Sequence, residues 1–144
     1  MNCFARIACV GIFVASSSCG KESLPQKPQL ITDRDSLGFG QEFGSGAFIG
    51  TKPTDSIQIT NGGLENLEIS SATYSGDQAF TAEGPLKMTL KGKETTFIRV
   101  IFTPTAEKLY TGSLLIVSNA ESNTKSSPMK TIGISGRGFA PDGG

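Results

Sequence analysis

The sequence predicts an all-β domain, a two-sheet sandwich of about seven to eight short strands behind a leader and a spacer. Three observations predict it. Beyond Ser36, apolar residues recur at every second position in short runs, the period of a half-buried strand. Clusters of Gly, Pro and Asn separate these runs at even, short intervals, as stacked sheets require. No stretch holds the period of a helix. The clearest case is Thr95 to Asn119, where Ile98/Val100/Phe102 and Leu114/Ile116 alternate on either side of the break from Pro104 to Gly112.

Composition narrows the function more by exclusion than by indication. The chain's 144 residues suffice for one domain with a core and are too few for two ordinary ones. Its 13 Lys and Arg balance its 13 Asp and Glu without forming a basic block. Nucleic acid is therefore not expected as a partner, because phosphate neutralisation needs clustered cations. Histidine is absent, which removes the commonest general base and zinc ligand together with every Ser–His or Cys–His nucleophile. Glu65 and Glu68 flank a turn, and acid pairs on exposed turns are commonplace. No catalytic residue, metal site or cofactor is signalled, and an enzyme is not expected.

All three cysteines, Cys3, Cys9 and Cys19, fall at the start of the chain. Arg6, the apolar run Ile7 to Ala15 and the small residues Ser16 to Ser18 follow the order of a secretory signal, assigned to residues 1–18. The apolar run is too short to span a bilayer, which takes about 20 apolar residues. Phe13 to Gly20 resembles the lipobox of bacterial lipoproteins, with Ser16 in place of the usual large aliphatic residue. The resemblance implies that Cys19 is the acylated first residue of the mature chain, anchoring it to a membrane of the bacterial cell envelope. Cleavage nearby as an ordinary signal peptide remains the alternative. Residues 19–35 then form the lipidated cysteine and a flexible tether, polar and broken by Pro25 and Pro28. Nearly extended, such a tether reaches up to roughly 50 Å.

The sandwich is assigned to residues 36–141. Leu37 and Phe39 begin it as a short strand. Gly40 to Gly50 follows as turns and bulges; a phosphate cradle would need a helix next, and Pro53 and a strand come instead. Ile57 and Ile59 point inward from the second strand, which ends at the Asn61-Gly62-Gly63 turn. Leu67 and Ile69 open a third, running toward Tyr74. Phe80 is an isolated buried anchor, and Leu86, Met88 and Leu90 alternate before the turn at Gly92. The two strands of Thr95–Asn119 come next, and Ile132 and Ile134 mark the last.

Taken in order, Phe39-Gly40, Ile59-Thr60-Asn61-Gly62-Gly63 with Leu67 and Ile69, Val100 to Pro104, Tyr110 to Leu114, Ile116, Ser118-Asn119 and Gly136-Arg137-Gly138 resemble the ASH domain. This is the abnormal-spindle/Hydin type, called choice-of-anchor D in bacteria. Gly38 stands where an acidic residue is usual, and Phe43 to Phe48 reads as an insertion. The resemblance implies an immunoglobulin-like β-sandwich related to the major sperm protein fold, used as a structural or binding module without a shared catalytic site. The expected partner is an unidentified protein of the cell envelope. The alternative is a periplasmic secretion or assembly accessory resembling pilus chaperones, with Arg99 and Arg137 as candidates for holding a terminal carboxylate, although paired strand-surface arginines are more often simple surface charges.

The connection from Pro104 to Thr111 is longer than a tight hairpin wants. Tyr110 stands where a tyrosine corner carries the chain from one sheet to the other. Outward residues of the two strands then emerge on opposite faces, Phe97 and Ile101 on one, Leu115 and Val117 on the other. Those four are the candidate partner-binding positions.

Overall fold

The computed structural model describes residues 23–40 and 46–141; the signal segment, Cys19 and Gln41 to Ser45 lie outside them. Ten strands follow in order: β1 (Leu30–Thr32), β2 (Ser36–Phe39), β3 (Ala47–Phe48), β4 (Thr54–Asn61), β5 (Leu67–Gly76), β6 (Phe80–Glu83), β7 (Met88–Leu90), β8 (Thr95–Phe102), β9 (Leu109–Ser118) and β10 (Met129–Phe139). No helix occurs among the described residues. The strands form two sheets. The first runs β1-β4-β8-β6 and is antiparallel throughout. The second runs β2-β10-β9-β5-β7, with β3 also paired to β10. Here β2 and β3 lie parallel to β10, and the other pairs are antiparallel.

Two-residue alternation explains why these segments close on one core. In β4 Ile57 and Ile59, in β8 Ile98, Val100 and Phe102, and in β9 Leu114 and Ile116 are all fully buried. Ile132 and Ile134 of β10 join them from the second sheet. Each such side chain contributes about 1.5–3 kcal/mol on burial. β8 and β9 belong to opposite sheets, so their apolar rows face each other across the core. Phe39, Phe80, Phe102 and Tyr110 concentrate aromatic packing at one end of that core, with the Phe80 and Phe102 rings stacked at 4.7 Å between centroids.

The corner itself is built around the Tyr110 hydroxyl. It accepts the backbone N–H groups of Thr105 (3.0 Å) and Ala106 (2.7 Å) and donates to the Ala106 carbonyl at 3.2 Å. Those bonds satisfy the backbone where the chain leaves one sheet for the other.

Three sequence expectations need correction. The flexible tether does not extend to Asp35. Pro28, Gln29 and Leu30 are buried, and β1 pairs with β4 from Leu30↔Asn61 to Thr32↔Ile59. One inward apolar residue in a three-residue strand is too little to show a period. Leu86 is exposed rather than inward, and β7 starts only at Met88; Gly84 and Pro85 place Leu86 in the crossing between sheets. Phe80 is not isolated, since it opens β6, which pairs with β8 from Phe80↔Phe102 to Glu83↔Arg99.

Candidate interaction faces

Among the described residues no group of three or more Asp, Glu, Cys or His side chains lies close enough to hold a metal ion. The described surface consists of the two sheet faces and the two poles where loops gather.

On the first sheet, Phe97 is 55% exposed and Ile101 is half-buried. Phe97 stands opposite Gln58, and Ile101 lies between Thr54 and Thr81. Arg99 sits between them on the strand, opposite Ser56 and Glu83, and with Phe97 and Gly84 these two line a shallow cleft. This face is mixed: one prominent ring among polar neighbours.

On the second sheet Leu115 and Val117 are both half-buried. Leu115 is flanked by Thr131 and Thr73, and Val117 by Met129 and Ser71. The neighbouring rows shield them, so the two residues present less apolar surface than their sequence positions imply. Met129, at 57%, is the exposed member of that group.

The same sheet carries a more exposed apolar group near the Tyr110 pole. Leu109 pairs with Arg137, and Phe139 pairs with Phe48. Leu109 is 60% and Phe48 54% exposed. The Arg137 guanidinium lies over the Phe139 ring at 5.1 Å, a cation–π distance that holds its long side chain flat. Cross-strand partners share a face, so Leu109, Arg137, Phe139 and Phe48 form one patch drawn from β9, β10 and β3. No short segment reveals it, because each strand supplies only one or two of its members.

Arg99 and Arg137 lie on different sheets, each with its side chain outward. They do not converge on a single anion.

Solved structures share this architecture. An ASH/PapD-like domain of human CEP192 matches with a TM-score of 0.62 at 11% identity, over 96% of this chain and all of that one. The fold here is that of the ASH/PapD-like and major-sperm-protein domains. SSP-19, a major-sperm-protein-like protein of Caenorhabditis elegans, matches at 0.51 and 13% identity, covering 74% of this chain and 97% of its own. The Escherichia coli chaperone DraB matches at 0.53 and 12%, over 81% of this chain and 58% of the chaperone. The Vibrio cholerae protease VesB also matches, at 0.53 and 19%, over 74% of this chain but only 31% of the protease. At these identities the likeness extends to fold alone. No family model matches the chain, and no curated protein does.

Proposed function

We propose that this chain is a lipid-anchored protein of the bacterial cell envelope whose immunoglobulin-like domain binds a protein partner without catalysis. The observation that carries the binding reading is the patch of Phe48, Phe139 and Leu109 around Arg137. Aromatic side chains and arginine are among the residue types enriched at protein interfaces. Phe97 and Ile101 offer a second, smaller face, and Leu115 with Val117 a third. The anchoring reading rests on Cys19 in its lipobox-like setting. DraB shares the fold, but Arg99 and Arg137 face apart, which does not support carboxylate capture of the pilus-chaperone kind.

In-cell photo-crosslinking from Phe48, Phe97 and Leu115, followed by pull-down, tests the binding reading. Crosslinks to one envelope protein from position 48, lost when Leu109→Ser and Arg137→Ser are introduced alongside the crosslinker, are expected. A partner captured undiminished by that variant would move the interface to another face. Labelled-palmitate uptake that disappears in Cys19→Ser is expected for the anchor; absence of label in the wild type would refute it.

A further inference from the structure

The segment leading into β1 is bound to one pole of the sandwich. The Leu64 backbone N–H donates to the Pro25 and Gln26 carbonyls, and Gly62 N–H donates to Gln29. Glu121 N–H donates to the Pro28 carbonyl, and the Lys27 ammonium lies 3.4 Å from the Glu121 carboxylate. Leu30 N–H donates to Ser126 Oγ at 2.9 Å. From Pro25 onward the chain is thus fixed to the pole that carries Asn61 and Ser126. Six residue steps separate Cys19 from Pro25, a reach of at most about 22 Å. β9, with 10 residues, runs along the domain for about 30 Å.

We propose that the domain stands on its Asn61 pole, with Leu24 and Leu64 against the bilayer and the Tyr110 pole facing away. This rests on the reading of Cys19 as the lipid anchor. A span of at most about 22 Å cannot pass along a domain of about 30 Å, so an inverted pose is closed to it. At the anchored pole Leu24 is 48% and Leu64 44% exposed. The same pole carries Lys27, Lys91, Lys93 and Lys125 together with Glu65, Glu94 and Glu121. Charge there is nearly balanced, so the leucines supply the contact with the lipid surface. The Lys93 ammonium donates to the Gly62 carbonyl, holding the Leu64 turn against the β7–β8 turn. The Phe48–Leu109 patch is then carried at the far end, clear of the headgroups and open to a partner.

The chain contains no tryptophan, so one introduced indole reports alone. Leu64→Trp and Leu109→Trp are made in two preparations. One is the lipoprotein purified from membranes into vesicles. The other is residues 19–144, which include every described residue of the core, coupled through Cys19 to a maleimide lipid. The vesicles contain a lipid with a nitroxide headgroup as quencher. Several-fold stronger quenching of Leu64→Trp than of Leu109→Trp is expected in both. Equal quenching, meaning a domain lying on its side, or stronger quenching of Leu109→Trp would overturn the orientation. The coupled preparation separates the two readings. Pole-selective quenching there, with no palmitate uptake in cells, would refute the lipoprotein and leave the geometry standing. Palmitate uptake with equal quenching would do the reverse.

Discussion

The side-chain carbonyl of Asn61 accepts the backbone N–H of Gln29 at 3.2 Å, joining the start of the domain to the end of β4. The same side chain does four further jobs. Its oxygen accepts Gly63 N–H at 3.0 Å, and its amide nitrogen donates to the carbonyls of Glu65, Leu90 and Lys91 at 2.7–3.1 Å. Asn61 is fully buried, and its bonds to Gln29, Gly63 and Leu90 are buried with it, so those three backbone groups have no water as a substitute.

Asn61→Ala is accordingly expected to cost about 3 kcal/mol or more, since several buried donors and acceptors lose their partner together. Urea unfolding of the domain measures it. A loss under about 1 kcal/mol would mean that the loops re-pair on their own. Asn61→Asp is expected to be worse than alanine, because a carboxylate would face three carbonyl oxygens.

Two glycines of β10 separate close packing from open space. A Cβ on Gly136 would lie 2.8 Å from the Phe102 ring, whereas one on Gly133 meets nothing within 4 Å. Phe102 is fully buried among Phe39, Phe80 and Tyr110 and has little room to move. Gly136→Ala is expected to destabilise by about 1–3 kcal/mol through overpacking. Gly133→Ala is expected to be neutral or to stabilise by about 0.5 kcal/mol, through the entropy of the unfolded chain. Thermal unfolding of both variants checks the pair; similar losses in the two would contradict the packing described.

Asp77 gives the domain an acid-sensitive contact. Its carboxylate accepts Thr111 N–H at 2.7 Å, and this bond, aided by the Lys108 ammonium, holds the carboxyl below its ordinary value. A carboxyl depressed in the folded state stabilises above its unfolded value, and that contribution fades as pH falls through the folded one. Asp77→Asn is expected to be less stable than wild type at pH 7. The gap should narrow as the pH falls below about 4. Unfolding midpoints measured from neutral to acid pH test this. A gap that stays constant would show that the carboxylate charge plays no part.

Much of this fold can be read from the sequence because its strands alternate strictly. Ile57/Ile59, Ile98/Val100/Phe102 and Leu114/Ile116 place their own faces, and Tyr110 marks the change of sheet. The rest depends on register, which composition does not carry. β1 has one inward apolar residue and is fixed by backbone bonds to distant loops. Asn61 reads as a turn residue, yet its role comes from burial and from carbonyls some thirty positions away. Phe48, Phe139 and Leu109 become one patch only once β3 and β9 are laid beside β10. Leu115 and Val117 do face outward, but Thr73, Thr131 and Met129 crowd them in a way a single strand cannot reveal.

The position of β10 has a consequence for how this chain is made. It is the last strand in sequence, yet it lies between β2 and β9, and Ser36 waits for Gly133, roughly 100 residues later. Until β10 is synthesised, β2 and β3 have no strand to lie against, and the core lacks Ile132 and Ile134. Closing so long a loop comes late in folding. The order of the strands therefore makes closure of the second sheet at its β2 edge a late step of folding.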